Sequence, residues 1–235
     1  MAKYSSILFD LDGNLLPMDM DNFIKLYFGA LAQYMAPYGF EPKEFVDGIW
    51  AGTKAMVKND GTMANEERFW NTFAEKLGNR VFDYVFTIDS FYTKDFNKAK
   101  AATWENPNAM RAIEAARKIA DRVVLATNPL FPPCAVHTRL GWIDIEPDNF
   151  DYITTYDNSR YCKPNPKYYA ELAEKLGLDP ATTLMIGNDI DEDGAAAAVG
   201  FDVFITTDCI LGNKDNLGNF RHGTFAELCD YLESL

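Results

Sequence analysis

Apolar residues follow two different rhythms along this chain. In one, short runs such as Ile7-Leu8-Phe9 and Leu184-Met185-Ile186 are bounded by polar or glycine-containing segments, the pattern of buried strands. In the other, between Asp19 and about Lys100, the spacing is helical: Phe23, Ile24, Tyr27, Leu31, Tyr34 and Met35 recur until Pro37-Tyr38-Gly39 breaks the run. Phe45, Ile49 and Trp50 predict a second helix ending near Gly52, and Asn65 a cap for a third. Phe69, Trp70, Phe73 and Leu77 line that third helix and Gly78 stops it, while Val81 to Tyr92 suggests a fourth.

From Asn106 onward the two rhythms alternate. Asn106-Pro107 reads as an N-cap followed by proline at the first helical position. Strands are predicted over 122–126, 150–155, 183–186 and 202–206. Helices are predicted over 166–176, closed by Gly177, over the alanine-rich 194–199 and over 225–232, whereas Phe131 to Cys134 reads as a loop. Strands alternating with helices imply βαβ units and a parallel sheet covered on both faces. The expected fold is therefore α/β. Residues 1–18 and 101–235 form its core, and 19–100 form an all-helical unit inserted after the first strand.

Composition narrows the function. The 235 residues are 48% apolar, enough for a sizeable core. A formal charge of −13, from 35 acids against 22 bases, argues against nucleic acid or an anionic membrane as a partner. No run approaches a membrane span, and the N-terminus passes almost at once into a strand, so a cytoplasmic location is expected. Cys134, Cys162, Cys209 and Cys229 form no Cys-x-x-Cys pair, and His137 and His222 are isolated, so neither a zinc site nor a disulfide framework is indicated. Oligomeric state is left open by the sequence.

Candidate chemistry gathers at strand ends. Asp10 and Asp12 close the first strand, and in extended chain their spacing puts both carboxylates on one side. Such a pair asks for a cation, a shared proton, or both. Thr127 and Asn128 follow the second strand, Asn188 and Asp189 follow another, and Lys163 stands in Tyr-Cys-Lys-Pro-Asn-Pro. In parallel sheets ligands bind outside the carboxyl ends of the strands. Each cluster alone is ordinary: an Asp-Gly turn, a turn after a strand, a solvated lysine, acids at a helix start. Together they offer a carboxylate nucleophile, a second acid, a hydroxyl donor, a fixed cation and hard oxygen ligands suited to magnesium, which is the equipment of phosphoryl transfer.

In order, Phe9-Asp10-Leu11-Asp12-Gly13, Leu125-Ala126-Thr127-Asn128, Lys163-Pro164-Asn165-Pro166 and Ile186-Gly187-Asn188-Asp189 resemble the four motifs of the haloacid dehalogenase (HAD) superfamily, in its phosphatase type with a helical C1 cap. The resemblance implies a Rossmann-like three-layer sandwich with residues 19–100 as the cap. It implies a Mg2+-dependent phosphatase of a small phosphorylated metabolite. Asp10 would form an aspartyl-phosphate, Asp12 would be the acid and base, and Thr127, Asn128 and Lys163 would bind the phosphoryl group. Magnesium would sit on the Asp10 carboxylate, the Asp12 backbone carbonyl and an acid from the fourth motif.

Two positions depart from the family pattern. Asn14 replaces a frequent threonine or valine, which is expected to be tolerated as part of a turn. Asn188 stands where an aspartate is usual, so that either Asp189 reaches the metal through a slightly shifted loop, or Asn188 contributes its amide oxygen and Glu192 or Asp193 supplies charge, with Asp189 favoured because a hard cation prefers a charged oxygen. A dehalogenase typically lacks the acid that Asp12 provides. A phosphonate hydrolase would need a cap lysine, for which Lys25, Lys54 and Lys58 are candidates. A phosphomutase would share the core residues, and a non-catalytic binding member would keep the scaffold without turnover.

Overall fold

The computed structural model describes residues 3–235. Six strands, β1 (Ser6–Phe9), β2 (Arg122–Leu125), β3 (Tyr152–Ile153), β4 (Thr183–Gly187), β5 (Asp202–Thr206) and β6 (Arg221–Gly223), form one sheet in the order β3-β2-β1-β4-β5-β6. Every pairing is parallel, with Phe9 opposite Leu125 on one side and Ile186 on the other. The central strands are buried on both faces, as their unbroken apolar runs require. Alternation along β1 sends Ile7 and Phe9 to one layer and Leu8 to the other. Helices α5 (Ala109–Ile119) and α8 (Phe225–Glu233) pack on the first side and α7 (Pro166–Leu176) on the second, giving a three-layer α/β sandwich of Rossmann type.

The chain winds outward from β1 to β3, then returns to place β4 on the other side of β1. A crevice opens where the winding reverses, at the carboxyl ends of β1 and β4. Asp10 and Asn188 follow those two strands directly.

Between β1 and α5 the regular elements are all helical. They are α1 (Met20–Met35), α2 (Pro42–Val57), α3 (Asn65–Leu77) and α4 (Val85–Thr93), with 3-10 turns between and after them. Two adjacent chain crossings join this unit to the sheet domain. Met18 and Thr103 form an antiparallel bridge, Asp19 N–H donates to Ala102 O at 2.9 Å and Trp104 N–H to Pro17 O at 3.2 Å. No helix among the described residues is long and apolar enough to cross a membrane.

Several elements differ from the sequence expectation. Helix α2 does not end near Gly52 but runs to Val57, because the missing side chain there admits the Phe69 ring, 2.5 Å from where a Cβ would lie. Asn65 is the first helical residue of α3 rather than its cap, and its side chain is spent on tertiary bonds. Asn106 does not cap α5 directly. It accepts from Asn108 N–H, and the helix begins at Ala109. The stretch over 194–199 is a 3-10 helix, and β3 has only two paired residues. Helix α6 (Pro133–Gly141) and the edge strand β6 were not anticipated. Pro133 suggests a loop, yet proline suits the first turn of a helix, where its missing N–H costs nothing.

Candidate active site

Lys163 is the electrostatic centre of the crevice. Its ammonium is fully buried and donates to Asp10 Oδ1 at 2.8 Å and to Asp193 Oδ1 at 2.6 Å. Burial works against the charged lysine, but Asp10 and then Asp193 outweigh it, and its pKa lies well above the ordinary lysine value. Burial raises the Asp10 carboxyl well above the usual range, Lys163 opposes this, and the nearby Asp193 and Asp12 charges add to it. One cation cannot neutralise two buried carboxylates, and that deficit asks for a second cation or a bound proton.

Asp193 reaches Lys163 because β4 ends in glycine. A Cβ on Gly187 would fall 1.9 Å from Asp193 Oδ2. Asp193 Oδ2 also accepts from the Asp189 N–H at 3.0 Å, which ties the acidic loop to the strand end.

Asp12 does not face Lys163 but pairs with Arg139, an arginine of α6 that has no exposed surface. Arg139 sits at a core-facing position beside Ala135, Val136 and Leu140. Its guanidinium carbon lies 4.3 Å from the Phe131 ring centroid and its Nε donates to Ala135 O at 3.3 Å. Asp12 Oδ1 and Arg139 Nη2 are buried with no partner. Sequence reading missed Arg139 because α6 itself was missed. An arginine at the apolar spacing of a short helix was the available signal.

Thr127 is buried, and its carbonyl accepts from Thr154 Oγ1 at 2.7 Å and Tyr168 OH at 3.1 Å, so its backbone is fixed from below. The Asn128 side chain, expected to meet a phosphoryl group, is engaged within the protein. Its Oδ1 accepts the Lys163 N–H at 3.2 Å and its Nδ2 donates to Glu192 Oε2 at 3.0 Å. It positions Lys163 and Glu192. Glu192, named in the sequence only as a source of charge beside a metal, is pushed up to about 7 by burial.

In the fourth motif the two candidate ligands are differently occupied. Asp189 Oδ1 accepts the N–H groups of Asp191 at 2.9 Å and Glu192 at 3.0 Å, and burial raises its pKa despite those bonds. Asn188 is buried against the first-motif loop: its Nδ2 donates to Cys209 O at 2.9 Å and its Oδ1 has no partner. Gly13, at φ +81°, makes room for it, since a Cβ there would lie 2.4 Å from the Asn188 amide nitrogen. Among the described residues no three carboxylate, imidazole or thiolate groups form a metal cluster. A hard cation accepts amide and carbonyl oxygens as well as carboxylates, and the orphaned Asn188 Oδ1 is an oxygen of that kind. Asn14 is more than a turn residue: it is buried, and its Nδ2 donates to Thr206 Oγ1 on β5 at 2.9 Å.

Above these groups lies a cavity of about 320 Å3 whose floor includes Asp10, Asp12, Thr127 and Asn188 and whose walls come largely from α1 to α4. The insert docks beside it through buried Asn65, whose N–H donates to Ser159 O at 2.8 Å and whose Nδ2 lies 3.3 Å from Pro129 O. Lys25, Lys54 and Lys58 are exposed and none of them lines the cavity.

This arrangement agrees with a family match that spans most of the chain, the haloacid dehalogenase-like hydrolases over residues 4–200. The chain belongs to that family. As a HAD-like hydrolase it is an enzyme, and it is similar along its whole length to YhcW of Bacillus subtilis (strain 168), which bears a provisional phosphatase name. Identity to YhcW is 22% over 236 residues, covering 97% of this chain and 98% of the relative. Solved structures share the HAD fold. The HAD phosphatase from Thermococcus onnurineus matches with a TM-score of 0.60 at 21% identity, covering 97% of both chains. The HAD-hydrolase YfnB of Bacillus subtilis, described as bound to magnesium, matches with a TM-score of 0.56 at 16% identity, covering 97% of this chain and 98% of its own.

Proposed function

We propose that this HAD-like hydrolase is a magnesium-dependent phosphatase of a small phosphorylated molecule, working through a phosphorylated Asp10. The observation that carries the reading is the Lys163 ammonium, buried behind the cavity floor and fixed between Asp10 and Asp193, two acids that line a cavity roofed by the helical insert. A phosphoryl group entering there meets a carboxylate nucleophile already oriented by a buried cation. Asp10 attacks phosphorus, the bond from phosphorus to the alcohol oxygen breaks, and water later releases phosphate from Asp10. Asp12 supplies the proton to the departing alcohol and takes one from that water, which requires it to part from Arg139 during turnover. Thr127 stands beside the attack site on a backbone held by Thr154 and Tyr168. The helical insert acts as a cap that excludes bulk water.

Asp10, Asn188 and the Asp12 carbonyl, with Asp189 alongside, are the oxygens that would hold magnesium, and the ion would supply neutralising charge to the phosphoryl oxygens. The unpartnered Asn188 Oδ1 favours Asn188 over Asp189 as the fourth-motif ligand. The exposed positions of Lys25, Lys54 and Lys58 speak against the phosphonate-hydrolase alternative.

Hydrolysis of p-nitrophenyl phosphate by purified protein, with magnesium and with a chelator, tests the proposal. Metal-dependent turnover that disappears in Asp10→Asn is the expected result. Turnover retained in that variant would remove Asp10 as nucleophile, and none in the native protein would favour a non-catalytic member of the fold.

A further inference from the structure

The cavity wall above Asp10 is rich in rings, with aliphatic residues such as Ile24, Ile49 and Ile88 between them. Helix α1 contributes Phe28, α2 contributes Trp50, α3 contributes Trp70 and α4 contributes Tyr92, while Phe131 closes the core side. Trp50 is 47% exposed although its ring centroid lies only 4.9 Å from that of Phe28. A half-exposed tryptophan on the wall of a deep cavity is apolar surface available to a ligand.

Uncharged polar groups on that wall include Thr53, Tyr156 and the unpartnered Trp70 Nε1. The hydroxyls of Tyr27 and Tyr92 bond each other at 2.9 Å. Among the described residues no lysine, arginine or histidine lines the cavity. A second carboxylate or phosphate on the substrate would therefore be buried without a counter-charge. A polyol has more hydroxyls than these few groups can pair, and each hydroxyl buried unpaired weakens binding. The charged group the insert contributes is Asp89, whose Oδ1 accepts a long bond from the Cys134 thiol at 4.0 Å. A partly buried acid so poorly partnered favours a donor on whatever lies against it.

We infer that the preferred substrate is the phosphate monoester of an aromatic alcohol that bears no second anionic group and presents an amino group to Asp89. The rings of Trp50 and Phe28 take up the aromatic body, and the Asp89 carboxylate accepts from the amine. In hydrolysis the bond from phosphorus to the alcohol oxygen breaks, water supplies the elements of the free alcohol and phosphate, and the aromatic body is unchanged. The inference rests on the phosphatase reading of the same site and deepens it.

Steady-state kcat/KM on four primary-alkyl phosphates tests it without the bias of an acidic leaving group: phenethyl phosphate, its ring-aminomethylated analogue, a hexitol monophosphate and phosphoglycolate. The two aromatic esters are expected to exceed the hexitol ester and phosphoglycolate by about tenfold or more. The aminomethyl analogue should gain a further factor of about five, lost in Asp89→Asn, and Trp50→Ala should raise KM for both aromatic esters with little change in kcat. Preference for the hexitol ester or phosphoglycolate would overturn the inference and leave the phosphatase standing. An amine effect that is absent, or that survives Asp89→Asn, would overturn the role of Asp89. Hydrolysis of none of the four, nor of p-nitrophenyl phosphate, would instead overturn the phosphatase reading itself.

Discussion

The guanidinium of Arg139, with no exposed surface, holds Oδ2 of Asp12 across an interval of more than a hundred residues. The pair fixes the proposed acid and base beside, but not on, the lysine that serves Asp10. Removing one member leaves the other charge partly buried and unpaired, which is costlier than never having had the pair. Arg139→Met is therefore expected to lower stability by about 3 kcal/mol, read as a shift in the urea midpoint. Combined with Asp12→Asn, the loss should fall short of the sum by more than about 1 kcal/mol. Strict additivity would show that the two side chains are not coupled.

Lys163 carries a different burden, because it separates two acids that would otherwise face each other in a buried crevice. Lys163→Met should reduce kcat on p-nitrophenyl phosphate by about 10^3-fold, the scale of losing a preorganised charge at a reacting oxygen. Wild-type turnover in that variant would place the phosphoryl group elsewhere.

Much of this site was legible because its anchors lie where strands end. Asp10, Thr127 and Asn188 each follow an apolar run, and a parallel sheet forces such positions to one edge. Helices stopped by a left-handed glycine were equally readable, as Gly177 after α7 shows. What escaped was set by tertiary partners. Asn65 and Asn106 have the composition of caps, but one docks the insert on the core and the other begins its helix late. Gly52 looks like a helix stop and is instead a seat for Phe69. Arg139 gave no motif, since its meaning depends on Asp12, far away in the chain.

Glu192 gives the protein a pH signature. Burial lifts its pKa from an unfolded value of 4.5 to about 7, with Lys163 opposing and Asp193 adding to the rise. Between those values the folded state binds more protons than the unfolded one, so stability must fall as pH rises through that window. The native protein, kept metal-free with a chelator, is expected to lose roughly 3 kcal/mol more than Glu192→Gln between pH 4.5 and 7. Parallel stability curves for the two proteins, followed by chemical denaturation, would mean that Glu192 titrates normally in the fold.

On the proposed reading, Asn188 helps to hold the divalent ion. Its Oδ1 is buried without a donor, whereas the Oδ1 of Asp189 already accepts two backbone N–H groups. If Asn188 is the ligand, Asn188→Leu should raise the magnesium concentration for half-maximal activity by about tenfold or more, while Asp189→Asn should act mainly through the local turn. Asn188→Asp adds a charge to a crevice in which Lys163 already serves two acids. It also gives up the bond from Nδ2 to Cys209 O. In chelator this variant should therefore melt below the native protein, and magnesium should raise its Tm by more than it raises the native one, since binding to the folded state alone stabilises it. A larger magnesium defect in Asp189→Asn than in Asn188→Leu would assign the ion to the aspartate instead.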